Sequence, residues 1–440
     1  MPRKRRSLGR PDSLSSLKAE LENRELIELP SSYCIYRVPP LIRKMNPTAY
    51  KPMSVSIGPY HHGDKRLKSM EEVKLWFLCN FLKRNQQKSF DDYVCVLKHK
   101  ESKIRSCYSD NISMESDEFV RMVLTDACFI IEYFLLMLGV DSSLSKLPSM
   151  EIRSDLILAE NQLPFFILED LFDLNFSNGC NVGSTFVFFT FYYFKGAFLS
   201  GIVPNEKLRE GFTYSYFEQH HLPTLDGTPK VDHLCDMLRI FCVRLDQLPR
   251  EPSIGKLKPV YNASKLDDAG IKFEVNEDEM SILRLQYSKG VLKIPRTRVS
   301  DFTEIQLRNV VAFEQCHFRS SRSMTDYIML LGHLIRTGKD VEMLEEKGII
   351  ENYIGEDDAV AFITKRLSRN ATPVNFNNDY IYLSEELNKF CDSPYHKYQA
   401  IFKRQYWSTP WRIASFSGAI LLLFLTLIQT ISSVIALFQN

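Results

Sequence analysis

From Ile413 to Leu437 the chain runs for 25 residues without a charged side chain, and that stretch limits what the rest can be. Seventeen of these residues are apolar, one is Gly418, and seven are Ser, Thr or Gln. A helix of this length reaches about 37 Å, enough to cross a hydrocarbon core of about 30 Å with some tilt. A globular core helix as long would carry a polar face. Just upstream, Trp407 and Trp411 stand with Tyr395, Tyr398, Phe402 and Tyr406, interleaved with Lys397, Lys403, Arg404 and Arg412. Aromatic rings favour the headgroup region and basic residues stay on the cytosolic side. The sequence therefore predicts a single-pass tail anchor: lipid contact through 413–437, and an interface segment at 401–412 held by Lys403, Arg404, Trp407, Trp411 and Arg412. The body is expected in the cytosol; plasma membrane and endomembrane are both open. Ala414/Gly418 and Ser432/Ala436 have the small-xxx-small spacing that would allow homo-oligomers through this helix, although small residues are common in such segments.

The other 400 or so positions read as a folded body. With 440 residues, 45% hydrophobic and 25% charged, the chain can bury a large core and is neither low-complexity nor wholly disordered. Gly and Pro total 38, which favours helices over a turn-rich β fold. Lys+Arg 55 against Asp+Glu 54 gives a net charge of +1, so nothing points to nucleic acid. Behind the basic run Arg3 to Arg6 there is no apolar stretch, hence no secretory signal is expected. None of the ten cysteines has CxxC spacing, which favours free, mostly buried thiols in a reducing compartment. The sequons at Asn111, Asn175, Asn262 and Asn370 can be used only in a lumen, so they serve as a topology check.

Along the chain, 1–12 reads as a disordered basic tail and 13–32 as an amphipathic helix with Leu14, Leu17, Leu21 and Ile27. Ser69-Met-Glu-Glu72 has the pattern of a capping box opening a helix through Phe81-Leu82, and Asp301/Glu304 that of a second one opening a helix through Cys316. Residues 117–138 predict a buried helix in which Asp126 and Glu132 make a poor membrane span. An aromatic block at 183–203 is core, helix or strand. Period-two alternation from Gly270 and the Ser288-Lys-Gly290 break predict a small antiparallel hairpin or sheet near 270–297, and 325–391 further helices. The polar stretches 205–230 and 246–268 read as loops. The fold class is thus mostly α, a helical body at 33–400 with one small sheet and a C-terminal transmembrane helix.

Several segments are polar where a core is expected. In Glu160-Asn161-Gln162-Leu-Pro164 the proline must kink or end a helix, and the three polar side chains can satisfy the freed backbone groups locally. Asp126 and Glu132 lie six residues, about 120°, apart on one helix and do not converge as an acid/base pair. Glu304 and Arg308 form an i,i+4 pair, read as a surface ion pair. Asn309 shares a ridge with Ile305 and Phe313 and reads as a buried, bonded amide; Glu314, beside Gln315, is expected to be buried and paired. His61-His62-Gly63 is the most chemical-looking segment, yet it lacks HxxxH or HExxH spacing and sits between turn signals, as does His220-His221. There is no GxSxG, P-loop or GxGxxG in strand context, so neither cofactor nor metal is expected.

Taken together, Ile35-Tyr-Arg-Val-Pro39, Val55-Ser-Ile-Gly-Pro-Tyr-His-His-Gly63, Met70-Glu-Glu-Val-Lys74, Asp126-Ala-Cys-Phe-Ile-Ile-Glu132, Glu160 to Phe166, Ala269 to Phe273 and Thr303 to Cys316 resemble, in this order, the plant domain of unknown function 247 family. The resemblance covers roughly 33–435; Ala127 departs from it, where relatives commonly have Gly. It implies a mostly helical, single-pass plant membrane protein of undefined biochemistry, with no catalytic residues to transfer. Some grass relatives are associated with pollen self-incompatibility, a role no residue here marks. The expectation is a tail-anchored, non-catalytic interaction or signalling protein with an unidentified protein partner. Its rivals are a membrane-tethered enzyme using Glu160 or Glu314 with His61 or His62, and a nuclear role for the basic tail.

Overall fold

The computed structural model describes residues 33–137, 149–176, 230–243, 258–276, 283–318, 322–369, 376–396 and 410–438, with a few single positions between. The basic tail, the 13–32 segment, most of the 183–203 block, His220-His221 and Lys403, Arg404 and Trp407 lie outside the described residues. The body is mostly helical, as the sequence predicts.

After a short helical turn, Pro40–Arg43, three long helices lead the described body: α1 (Lys68–Arg84), α2 (Phe90–Arg105) and α3 (Ser116–Met137). Helix α3 buries every side chain from Met122 to Leu135, because apolar residues occupy all of its faces. It packs on α1 through Phe77 and Phe129, whose rings meet edge-on at 5.1 Å, and α1 reaches α2 through Phe81 and Tyr93 at 5.5 Å. The expected box at Ser69-Glu72 does not form. Asp64 instead caps a 3₁₀ turn, Lys65–Leu67, which runs straight into α1, so Ser69 already lies inside the helix. A true capping box opens α2, where Ser89 and Asp92 exchange hydrogen bonds. Helices α4 (Ser149–Asp155) and α5 (Phe165–Phe176) follow, then α6 (Leu234–Val243).

Strands β1 (Lys272–Asn276), β2 (Gln286–Ser288) and β3 (Val291–Pro295) form a sheet of order β1-β3-β2. The β2–β3 hairpin is antiparallel and turns at Lys289 and Gly290, both at positive φ (49° and 80°), the geometry of a two-residue type I′ loop. Strand β1, however, pairs with β3 in parallel, Lys272 to Val291 through Asn276 to Pro295. The sheet is therefore mixed and not wholly antiparallel, since alternation fixes which face is buried and says nothing of direction. A helix, Ala263–Asp268, interrupts what the sequence reads as a loop.

The second half continues through β4 (Thr297–Val299), α7 (Thr303–His317), α8 (Ser323–Leu334), α9 (Gly338–Glu346), β5 (Ile350–Asn352), α10 (Asp357–Arg369) and α11 (Asn378–Asp392). Strands β4 and β5 make a parallel pair that three-residue runs could not announce. Asp301 does not cap α7, whose N-cap residue is Phe302 with no side-chain cap; just ahead of it the Ser300 N–H donates to Thr303 Oγ1 at 2.9 Å. Helix α12 (Pro410–Phe438) stands apart from this core: Ala414–Ser433 is 20 residues of mean hydropathy 1.9, none of it buried, long and apolar enough to cross a membrane. Thr426, Thr430 and Ser433 each donate to the carbonyl four residues back at 2.8 Å, which satisfies these hydroxyls within the helix.

Candidate functional site

Residues 49–63 carry no long ladder of their own, so their buried N–H and C=O groups need partners. Helix α4 ends at Asp155, five residues before Glu160, and the loop 156–164 then lies against this segment. Pro164 precedes α5 and kinks nothing, contrary to expectation. The Asp155 carboxylate accepts from the N–H groups of Met53, Ser54 and Val55 at 2.8, 2.6 and 2.8 Å. Asn161 accepts from Ile57 N–H at 2.7 Å and donates to the carbonyls of Val55 and Asp155. Gln162 donates to Leu156 and Leu158 and accepts from Cys235 N–H, while its own carbonyl accepts from Tyr108. Asn309 of α7 closes the hub: it accepts from Ala159 N–H and donates to the Ala49 and Ile305 carbonyls. The polar trio thus acts across distant segments and not only locally.

Gly58 fits here because no other residue would. Its φ is +69°, a Cβ would meet the Gln162 carbonyl oxygen at 2.4 Å, and its N–H donates to Asp126 at 2.8 Å. Asp126 also holds the Lys74 ammonium at 2.7 Å, and Lys74 contacts Glu71 at 2.8 Å. Burial pushes the Asp126 carboxyl up against the pull of Lys74; burial would lower Lys74, but the two carboxylates outweigh it and hold it raised. Glu132, on another face of α3, takes a two-pronged bond from Arg84 at 2.5 and 2.7 Å. The two carboxylates do not converge, as their spacing requires.

Glu314 caps α8 from outside: it accepts from Met324 N–H, Thr325 N–H and the Thr325 hydroxyl at 2.8–3.0 Å, and burial raises its carboxyl. It does not meet either histidine of the turn. Gln315 is half-buried, and its carbonyl accepts from Arg322. Arg308 does pair with Glu304 at 2.7 Å, but its side chain is 1% exposed, so the pair is buried and not superficial: this face of α7 is covered by the Asn46–Tyr50 turn, whose Asn46 donates to Glu304.

One edge of the hub is incomplete. Glu160 Oε1 accepts from Val38 N–H and from Arg43. Its Oε2 faces His61 Nε2 at 3.7 Å, beyond hydrogen-bond length, and both atoms lack a partner among the described residues. Burial lowers the His61 pKa although Glu160 opposes it. His62 Nδ1 is likewise buried without a partner. Among the described residues no three His, Cys, Asp or Glu side chains are placed to hold a metal ion. Chemically the arrangement anchors chain segments, with the facing His61 Nε2 and Glu160 Oε2 left unpartnered among the described residues.

Sequence reading missed Lys74, Asp155, His233 and Asp340. Lys74 shares α1 with five other charged residues, so nothing in the helix marks it as the buried one, and Asp155 and Asp340 carry no mark either. Asp340 gathers Asn262, Ser264, Arg336 and Thr337 around one carboxylate, fixing α9. A second polar chain also escaped notice: Tyr36 Oη lies 3.1 Å from His317 Nδ1, and His317 Nε2 lies 3.4 Å from Asp232.

The hub is made from the same ordered motifs that carry the family resemblance. The pattern defining a plant family (DUF247, "Plant protein of unknown function") matches residues 35–425. The chain belongs to that family. Among its relatives in Arabidopsis thaliana, "UPF0481 protein At3g47200" is 32% identical, covering 92% of this chain and 87% of its own length. "Putative UPF0481 protein At3g02645" is 25% identical over 96% of this chain and 94% of its own. No solved structure matches. For this family member, the matched span takes in both the hub and the start of α12, up to Leu425.

Proposed function

We propose that this plant protein is a single-pass, tail-anchored membrane protein whose cytosolic body is a non-catalytic interaction or signalling module. The observation that carries the reading is the pairing of an unburied apolar helix, Ala414–Ser433, with a body whose buried carboxylates at 126, 132, 155 and 314 are each engaged by cations or N–H groups. Trp411, 84% exposed at the start of α12, suits a headgroup anchor. Lipid is then the first partner and a protein the second, with homo-oligomers through α12 an open assembly mode. Carbonate washing of plant membranes tests the anchor: the full chain stays in the pellet, and a chain ending at Ser408 is released. Proximity labelling from the full chain then reports protein partners; release of the intact chain by carbonate overturns the reading.

A second reading, an uncharacterised enzyme, is favoured by the unsatisfied His61–Glu160 pair alone. It requires a substrate group between the two atoms and predicts that His61→Gln abolishes turnover without loss of folding.

A further inference from the structure

We infer that the leucine face of the chain's own N-terminal segment, Leu14 to Leu21, seats in a surface groove walled by α1, α2 and α3. The groove encloses about 390 Å³ and is lined by Leu75, Leu78, Phe90, Val94, Val120 and Leu124. Phe90 is 51% and Leu75 41% exposed, an arrangement a soluble helical surface normally covers. Three features of the chain point to this occupant. Leu14, Leu17 and Leu21 repeat at helical spacing over about 10 Å, and the groove runs from Phe90 to Lys98, about 12 Å along α2. The described chain begins beside α2: Cys34 N–H donates to the Cys107 carbonyl at 3.0 Å, about 13 Å along the chain axis from Lys98, and the dozen residues between Leu21 and Cys34 can span up to about 40 Å. The charges also match. Residues 13–29 hold four glutamates against Lys18 and Arg24, while Arg121 on the groove rim is exposed and has no ion-pair partner among the described residues. The occupant is therefore a segment in cis, and the groove is closed to other partners while it is seated.

A benzophenone side chain placed at Leu14 of the full-length protein tests this. On irradiation, crosslinks within one chain to peptides covering 75–83 and 90–98 are expected. Leu21→Asp and Phe90→Glu, the latter at an exposed position, should each lower that yield about tenfold, as loss of one large apolar contact implies. Phe362→Glu on α10, equally exposed, should leave it unchanged. Crosslinks to other parts of the body overturn the inference. So do crosslinks between isotopically distinct copies, to lipid or to another protein, and so does a yield insensitive to Leu21→Asp.

Discussion

The Lys74 ammonium lies 2.7 Å from the Asp126 carboxylate, with 0% and 2% of their side chains exposed. Such a pair is held by Coulomb attraction against a large desolvation cost, so it adds little net stability but is dangerous to break. Asp126 also receives the Gly58 N–H, which ties the turn before His61 to α3. Asp126→Asn should destabilise the protein by about 3–5 kcal/mol, because the buried ammonium is left with the half-exposed Glu71 as its carboxylate and the neutral Ser56 hydroxyl. Lys74→Met combined with Asp126→Leu should recover most of that loss. Denaturant unfolding of the two variants decides it: a single mutant within about 1 kcal/mol of wild type contradicts the pairing.

Asn161 accepts one backbone N–H and donates to two carbonyls, all buried. Only an amide can do both. Asn161→Asp keeps the shape, removes the donor and sets a second carboxylate near Asp155, so it should cost about 2–4 kcal/mol, as much as Asn161→Ala. If Asp proves harmless while Ala does not, the side chain acts through its volume.

Acid sensitivity follows from His233. Its Nδ1 accepts the Asp236 N–H at 3.1 Å and its Nε2 lies 3.0 Å from the Cys34 carbonyl, which together require a neutral ring protonated at Nε2. Burial lowers its pKa from 6.5, and it does the same to His61 and His333. The unfolded chain then binds these protons first, so stability is complete above pH 6.5 and falls as the pH drops below it. Asp155, pushed by burial from 3.8 to about 6, has the opposite sign across that lower window. Glu169, pushed by burial from 4.5 to about 7, has that opposite sign too, so the histidine effect is read by comparing variants: wild type should lose more melting temperature between pH 7.5 and 6 than His233→Gln does. His233→Gln should melt lower throughout but with a shallower dependence; an unchanged slope removes His233 as the source.

The helices were legible because they are local: α3 shows its burial as a long apolar run broken only by Thr125, Asp126 and Glu132, and Asn309 shows its role by sharing a ridge with Ile305 and Phe313. What pairs with a charge was not legible. Asp155 meets a segment about 100 residues away, and β1 joins β3 across a crossover, so both depend on tertiary closure that no local spacing encodes. Arg308 was misjudged because an i,i+4 pair has the same spacing on a wet face as under a covering turn. The expected capping boxes failed for a related reason: a 3₁₀ turn upstream moved the start of α1, and α7 starts after Phe302, past Asp301, with no side-chain cap.

The placement of the body relative to the membrane can be read from one sequon. Asn262 donates to Asp340 at 2.6 Å and Asn175 to the Phe81 carbonyl at 2.8 Å, so neither amide is presented to a glycosylating enzyme in the folded body, whichever side it occupies. Asn111 is different: it is exposed, in the turn between α2 and α3. With the body in the cytosol, full-length protein made in plant cells should carry no glycan at Asn111, whereas an Asn-Gly-Thr tag appended some 15 residues beyond Asn440 should be modified. Endoglycosidase digestion followed by a gel shift separates the cases. A glycan on Asn111 with a bare tag would invert the topology, and with it the reducing surroundings assumed for the adjacent thiols Cys34 and Cys107.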